Sequence, residues 1–166
     1  MDYIQHPFPP VYDKNSRILI LGTFPSVKSR ESQFFYGHPQ NRFWKVLAHI
    51  CRVDPLITID EKKSFLLTRG IALWDVLESC HIELSMDSSI KDPIPNDFSK
   101  ILEIGGIRAV FTNGKKAEAL YHDLVYPVTG IPSICLPSTS PANGQFDFVR
   151  LIKAWQVIMD YDNLLS

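Results

Sequence analysis

Four short apolar runs constrain the fold of this chain most strongly, because longer segments of helical character separate them. They occupy residues 17–21, 71–74, 108–112 and 133–136. Runs of this length, rich in leucine and β-branched residues, are typical of strands buried on both faces of a sheet. Parallel strands need a crossover segment between them, and helices usually supply it. The sequence therefore predicts an α/β fold, a three-layer α/β/α sandwich with a central four-stranded parallel sheet.

The size of the chain favours one domain over residues 1–166. A chain of 166 residues with 45% hydrophobic residues can bury an ordinary core. Residues 1–15 are expected to form an extended arm packed on this domain, because Pro7, Pro9 and Pro10 fix the backbone and lack amide donors.

Charge and composition exclude several classes of protein. The net charge of -1 argues against coating nucleic acid through bulk charge, so any DNA site must be a local patch. The three cysteines are far apart and form no CxxC pair, which argues against disulfides and thiolate metal sites. No apolar stretch approaches the roughly 20 residues that span a bilayer. We expect a cytoplasmic monomer without membrane association.

The segments between the strands show helical spacing of apolar residues and helix-ending glycines. We predict helices near 43–51, 60–69, 97–104, 115–125 and 148–159, with Asn41 as a possible cap of the first. Two segments lack this periodicity. We predict that 23–40 is a long functional loop and that 78–95 is mostly irregular.

Polar residues follow each predicted strand and should converge at the carboxyl edge of the sheet, where ligands bind in such folds. They offer hydroxyls, amides and few carboxylates, and they contain no HExxH, GxSxG or P-loop motif. The absence of these motifs excludes most zinc hydrolases, serine hydrolases and P-loop nucleoside triphosphatases. We expect neither a metal nor a cofactor. The polar segments expected to converge at this edge are 23–26, Asp75, 113–114 and 137–140.

An aromatic cluster lies in the long loop, where Phe34, Phe35 and Tyr36 precede His38. Lysines and arginines surround it in the sequence, including Arg42. Rings flanked by cations suit a flipped base and its neighbouring phosphates. The alternative is that two of the three rings are core residues.

Three sequence segments carry a resemblance to a known family. Residues 22–26 read GTFPS, residues 36–44 read YGHPQNRFW, and residues 136–143 read LPSTSPAN. In order and spacing they resemble the two signature motifs of the uracil-DNA glycosylase superfamily. The HPxNRFW portion is similar to that of mismatch-specific uracil-DNA glycosylases. The complete pattern is closer to the hypoxanthine-DNA glycosylase branch, also called DNA-deoxyinosine glycosylases.

The resemblance implies roles for individual residues. Many members have Asp or Asn before the first-motif proline to position water, whereas this chain has Phe24. The hypoxanthine branch is thought to use the asparagine that corresponds to Asn41, and Asp75 is the reserve candidate for a base. Tyr36 would stack under the base. The implied substrate-binding residues are Gly22, Thr23, Phe24, Pro25, Ser26, Tyr36 and His38, and the implied DNA-binding residues are Arg42, Ser138, Thr139, Ser140 and Asn143.

Each of these residues also has a purely structural interpretation. Asn41 can be only a helix cap, Tyr36 a core residue, and the three hydroxyl residues at 138–140 a turn between prolines. Asp75 can cap the turn after its strand. One side-chain oxygen of Asn41 cannot cap the helix and hold a water at once.

The resemblance also implies an activity. It predicts a monofunctional glycosylase that removes a deaminated base, most of all hypoxanthine, from double-stranded DNA and leaves an abasic site. Three alternatives stay open: a mismatch-specific uracil-DNA glycosylase, a non-catalytic module that binds damaged DNA, and a flavodoxin-like cofactor protein.

Overall fold

A computed structural model describes residues 1–161 of the chain. The strands are β1 (Asp2–Gln5), β2 (Ile18–Gly22), β3 (Ile71–Asp75), β4 (Leu77–Ile82), β5 (Lys91–Pro95), β6 (Ala109–Asn113) and β7 (Ser133–Leu136). The α-helices are α1 (Val27–Ser32), α2 (Phe43–Ile50), α3 (Ile59–Thr68), α4 (Ser99–Glu103), α5 (Lys115–Leu120), α6 (Tyr126–Thr129) and α7 (Phe148–Trp155). Short 3-10 turns cover Asp87–Ser89 and Gln156–Asp160, and a π-helical turn covers Tyr121–Val125.

The central sheet has four parallel strands in the order β3-β2-β6-β7, which confirms the predicted fold class. β2 is a middle strand, and its Gly22 pairs with Asp75 at the end of β3. At the other side of the sheet, Asn113 pairs with Leu136 where β6 and β7 end. The carboxyl ends of all four strands therefore lie along one edge.

The two faces of the sheet bury separate cores, since successive side chains of a strand point in opposite directions. Ile18 and Ile20 of β2 join the core formed with α2, α3 and α7. Leu19 and Leu21 of the same strand join the core formed with α4, α5 and the π-helical turn. Every residue of β2 is buried, as expected of a strand covered by helices on both faces.

The prediction that residues 78–95 are mostly irregular was wrong. β4 and β5 fall within this region, and with β1 they form an antiparallel sheet in the order β1-β4-β5. Both strands carry many polar residues, and their pairing is interrupted by register shifts, so the alternation of apolar residues is weak. The extended arm supplies β1, and this pairing across about 80 residues leaves no local signal in the sequence.

Two further boundaries differ from the predictions. The 23–40 loop contains α1, which Ser26 caps by accepting a hydrogen bond from the Ser29 amide at 3.2 Å. Among the residues of α1 only Ser29 is buried, which explains why no apolar periodicity marked this helix. The helix predicted to stop near 125 continues through the π-helical turn into α6. Within residues 1–161, no helix combines the length and the apolar character needed to cross a membrane.

Candidate active site

A cavity of about 650 Å³ opens where the strands of the central sheet end. This volume lies within the range that small-molecule sites occupy. Its walls come from both sequence motifs, from the aromatic loop and from the turn between β4 and β5. Of the fourteen site residues named from the sequence, thirteen line it, and the exception is Arg42. The lining includes 22–26, 85–88, 138–143, Ser29, Phe35, Tyr36, His38, Asn41, Asp75 and Asn113.

Asn41 is held by a chain of hydrogen bonds that crosses the cavity wall. The Asn113 carboxamide accepts from the Thr139 amide at 3.0 Å and donates to the Thr139 hydroxyl at 3.0 Å. That hydroxyl in turn donates to Oδ1 of Asn41 at 2.9 Å. Thr139 is fully buried, so this chain is shielded from water. Asn113 at the end of β6 thereby fixes the residue that the second motif presents to Asn41.

The same oxygen of Asn41 also marks the beginning of α2, because it accepts a hydrogen bond from the Phe43 amide at 2.9 Å. A backbone N–H can only donate, which assigns the oxygen end of the carboxamide. Both lone pairs of Oδ1 are thus engaged. Within residues 1–161, the amide nitrogen of Asn41 has no hydrogen-bond partner. The N-cap position of α2 is occupied by Arg42, one residue after the predicted cap, and Asn41 bonds to the first helical residue from the position before it. This backbone contact and a ligand role therefore fall on different atoms of one side chain.

Tyr36 provides an aromatic surface in the cavity. One face of its ring stacks on Phe43, with centroids 4.0 Å apart and planes inclined by 20°. The residue lies in the left-handed backbone region at φ 53°, a strained conformation for a tyrosine. The ring is partly exposed and lines the cavity, so its uncovered surface is accessible to a flat ligand.

The Tyr36 hydroxyl is buried and has no hydrogen-bond partner among the described residues. The Asn113 carboxamide is near this hydroxyl, but both of its polar atoms already bond to Thr139. Burial and then the charge of Asp75 raise the pKa of Tyr36, so the phenol stays protonated at neutral pH. A buried polar group left without a partner is uncommon and often marks a functional site.

Gly22 allows the Tyr36 hydroxyl and Asp75 to approach the end of β2. A Cβ added at this position would lie 2.6 Å from Oδ1 of Asp75 and 2.8 Å from the Tyr36 hydroxyl oxygen. Neither distance is compatible with a side chain. The first residue of the GTFPS motif is therefore a glycine for steric reasons, and it brings two functional side chains together.

His6 is a site residue that the sequence did not reveal. Its Nε2 donates to Oδ2 of Asp75 at 2.7 Å, and the two side chains are 3% and 5% exposed. The imidazole packs edge-on against Phe8 and Phe24, with centroids 4.6 and 5.9 Å away. Long-range pairing brings the arm to this edge, through β1 with β4 and through the bridge of Val11 with Leu73, so the histidine in HPFPP carried no detectable local signal.

Arg42 lies behind the cavity wall. Its guanidinium donates to the carbonyl oxygens of Ser140 at 2.9 Å, Asn143 at 3.3 Å and Phe146. Its Nε also donates to the Thr139 carbonyl at 3.4 Å. These bonds tie the segment after β7 to the beginning of α2. Contact of Arg42 with DNA stays a prediction, and in the free protein the guanidinium holds the second motif in place.

Asp87 is the second residue that the sequence did not reveal. It lies in the 3-10 turn between β4 and β5, at the mouth of the cavity. Although the residue as a whole is exposed, neighbouring atoms desolvate its carboxyl and, together with the charge of Asp75, raise its pKa to about 6, while the side chain of Thr23 opposes the shift. The residue falls in a region predicted to be irregular, where no motif pointed to it.

The site has a distinctive electrostatic character. Two carboxyl groups, Asp75 and Asp87, line the cavity, and the lining includes no lysine or arginine. Within residues 1–161, no three histidine, cysteine or acidic side chains are grouped as a metal site requires. The arrangement suits a flat, uncharged ligand that an aromatic ring and neutral polar groups hold. A developing positive charge on such a ligand would be stabilised by the carboxyl groups.

Comparisons with known proteins agree with this geometry. The family model of the uracil DNA glycosylase superfamily matches residues 9–158. Hypoxanthine DNA glycosylases of Methanosarcina acetivorans and Methanosarcina barkeri are 39% and 36% identical to this chain. These matches cover 86% and 82% of this chain and 90% and 86% of the two relatives.

A solved structure is also similar. The solution NMR structure of a candidate uracil DNA glycosylase from Methanosarcina acetivorans superposes with a TM-score of 0.76 at 34% identity. The match covers 93% of this chain and 98% of that chain. Together these findings confirm the resemblance that the sequence motifs indicated. The chain belongs to the uracil DNA glycosylase superfamily.

Proposed function

We propose that this protein is a monofunctional DNA glycosylase that hydrolyses the N-glycosidic bond of a deaminated base, above all hypoxanthine, in double-stranded DNA. The observation that carries the proposal is a cavity in which a partly exposed tyrosine ring and a pinned asparagine amide lie together at one sheet edge. The names of the two Methanosarcina relatives support hypoxanthine as the base.

Binding begins when the damaged nucleotide leaves the base stack. Extrusion costs a few kcal/mol and least for a mispaired base, which already favours deaminated targets. The base enters the cavity and stacks on Tyr36, while the backbone of 23–26 faces its edge. The segment 138–143 faces the DNA beside the emptied position, with Arg42 holding its carbonyls from behind. This tether keeps the loop in shape when it meets the duplex.

Cleavage passes through a sugar with oxocarbenium character, while the departing purine gathers negative charge. Asn41 orients the attacking water through its amide nitrogen, because its oxygen is already bound to Phe43 and Thr139. A carboxamide has no useful basicity, so it positions the water without removing a proton. The carboxyl of Asp75 lies in the same cavity and adds negative charge at the end of β3. His6 keeps that carboxyl in place.

The reaction ends at an abasic site. Strand cleavage by a glycosylase needs an amine that forms a Schiff base with the sugar. No lysine belongs to the lining of the cavity as the structure describes it. Phe24 also lines the cavity at the position where many relatives hold water with Asp or Asn. This favours the hypoxanthine activity over uracil removal by the usual route.

The test is single-turnover release of base from a duplex with one deoxyinosine opposite thymine, using wild type and Asn41→Ala. We expect wild type to release free hypoxanthine and leave an intact abasic strand. Loss of the amide should slow release by about two orders of magnitude, as misplacement of a reacting group does. Asn15→Ala is the matched control, since Asn15 is exposed on the arm and far from the cavity lining.

The outcomes separate the candidates. Equal rates for wild type and Asn41→Ala would remove Asn41 from the mechanism. Faster release from U:G than from I:T duplexes would favour a mismatch-specific uracil enzyme. Tight binding to abasic DNA without release of any base would favour a non-catalytic module and overturn the enzyme assignment.

A further inference from the structure

The loop between β4 and β5, residues 83–90, forms one wall of the cavity mouth although it belongs to neither motif. Its residues 85–88 line the cavity. Two hydrogen bonds hold it against α1: the Ser85 hydroxyl accepts from the Val27 amide at 2.9 Å, and Arg30 donates to the Leu84 carbonyl at 3.1 Å. The loop is therefore a fixed wall beside the first motif, and its side chains face any ligand in the cavity.

Asp87 is the charged residue of this wall. The side chain of Thr23, the residue that follows Gly22 at the end of β2, is close enough to lower the pKa of this carboxyl. The carboxyl of Asp75 and the ammonium of Lys116 are its charged neighbours. Asp87 takes no part in the mechanism above, so a carboxylate at this position needs another explanation.

Asp87 and Asn41 belong to different walls of the cavity. Asn41 is bonded to the second motif through Thr139, after β7, whereas the loop of Asp87 is bonded to α1, which directly follows the first motif after β2. β6 lies between these two strands. At roughly 4.8 Å per strand, the ends of β2 and β7 are about 10 Å apart. With the sugar at Asn41, as the proposed function requires, the edge of the base remote from the sugar points toward Asp87.

Deamination changes the hydrogen-bonding group at the edge of the base that faces Asp87. Adenine carries an unprotonated N1 that accepts hydrogen bonds, and its deamination to hypoxanthine replaces this acceptor with an N1–H donor. A carboxylate can only accept hydrogen bonds. It therefore attracts hypoxanthine at this edge and repels the lone pair of adenine N1. We propose that Asp87 accepts the N1–H of the flipped hypoxanthine and determines the specificity of the site against adenine.

The inference rests on the proposed function, and it predicts a dependence on pH. Desolvation of its carboxyl by the cavity wall raises the pKa of Asp87 to about 6. Two neighbours, the Tyr36 phenol and the Cys80 thiol, have raised pKa values and stay protonated over this range. Above pH 6 the Asp87 carboxylate accepts a charge-assisted hydrogen bond, and below pH 6 protonation weakens this acceptor because the carboxyl loses its charge. Hypoxanthine release should fall as the pH drops through 6. Asp75, with its partner His6, and Lys116 complete the charged groups that face the site.

The test compares wild type and Asp87→Asn on two duplexes, one with deoxyinosine and one with purine deoxyriboside. The second base lacks both the N1–H and the 6-oxygen. The ratio of the two rates in each protein cancels differences in leaving-group chemistry, in the manner of a double-mutant cycle. Asp92→Asn is the matched control: it makes the same change on the same hairpin, at an exposed aspartate outside the cavity lining.

We expect Asp87→Asn to slow hypoxanthine release on the order of tenfold, because the carboxamide oxygen can still accept but lacks the charge that strengthens the hydrogen bond. Release of purine should change less than about threefold on the same principle, so the preference for hypoxanthine shrinks about threefold or more. The fall in rate below pH 6 should disappear in this variant and persist in Asp92→Asn.

Three outcomes would overturn the inference, and they are distinguishable. Release of hypoxanthine by wild type with an unchanged preference in Asp87→Asn would remove Asp87 from recognition and leave the proposed function intact. A wild-type rate that rises as the pH falls through 6, and loses this rise in Asp87→Asn, would make Asp87 a proton donor to the leaving base. No release of any base by wild type would overturn the proposed function itself and the inference with it.

Discussion

Arg42 offers the sharpest separation of a structural role from a DNA contact. The substitution Arg42→Met keeps the length of the apolar stem and removes the side-chain donors to the carbonyls of Thr139, Ser140, Asn143 and Phe146. The backbone amide of residue 42 still donates to the Thr139 carbonyl at 3.1 Å. Hydrogen bonds from a charged donor contribute about 1.5–3 kcal/mol each. The side chain is half-buried and the released carbonyls can regain water, so the bonds do not add.

We expect Arg42→Met to lower the free energy of unfolding by about 2–4 kcal/mol in total. For a chain of this size the melting temperature should fall by roughly 4–16 °C. Hypoxanthine release should slow by about a hundredfold, because the loop that carries Thr139 also holds Asn41. The assays are thermal unfolding by circular dichroism and single-turnover cleavage.

The salt dependence of DNA binding decides between the two roles. An arginine that contacts a phosphate contributes about one unit to the slope of log affinity against log salt concentration. We expect the slope to be the same in wild type and Arg42→Met. Lys153→Met, which removes one exposed charge on α7, is the control for lost charge. A slope reduced by about one unit together with unchanged stability would refute the structural role and assign Arg42 to the phosphates.

Two further predictions concern the edge of the sheet around Asp75. Gly22→Ala places a methyl 2.6 Å from Asp75 and 2.8 Å from the Tyr36 hydroxyl. It should therefore lower the free energy of unfolding in urea by about 1–3 kcal/mol and slow base release at least tenfold. Gly144→Ala, whose methyl meets nothing within 4 Å, is the stability control, and equal unfolding midpoints for the two variants would contradict the predicted crowding. His6→Phe keeps the ring but leaves the Asp75 carboxyl without its buried partner, so unfolding should become about 1–3 kcal/mol easier in the same assay, and wild-type stability would show that the pair contributes nothing.

Much of the architecture could be predicted from local patterns. The four strands of the central sheet are short, apolar and followed by polar residues, and this pattern identifies them without any tertiary information. Only β7 differs from the expected burial on both faces, because Ile134 and Cys135 are exposed at the edge of the sheet. The location of the site follows from the same pattern, because parallel strands present their carboxyl ends at one edge. Tyr36, Asn41 and Thr139 belong to long motifs, and the structure brings all three into one cavity.

The residues that were missed depend on contacts across the chain. His6 reaches Asp75 only because β1 pairs with β4, and nothing near His6 in the sequence reports that pairing. Asp87 reaches the cavity only because its loop is tied to α1 by Val27 and Arg30. Polar strands such as β5 show little alternation of apolar and polar residues, so the periodicity of the sequence did not predict the small antiparallel sheet. Local sequence patterns therefore do not predict long-range pairing between strands of this kind.

The sequence also could not predict which atoms of the Asn41 side chain bond to the protein and which one can face a ligand. A cap role and a ligand role seemed exclusive because one oxygen was assigned to both. The structure gives the oxygen to Phe43 and Thr139 and leaves the amide nitrogen available. Which atom faces a ligand depends on a threonine 98 positions away, and only the folded chain reveals it.

The most direct test of the proposed function is the position of the flipped base in a crystal structure of Asn41→Ala with a deoxyinosine duplex. We expect the hypoxanthine ring to lie in the cavity on Tyr36, with its N1 edge toward Asp87 and its sugar beside position 41. A hypoxanthine that remains stacked in the duplex, or binds on another surface while the cavity stays closed, would contradict it.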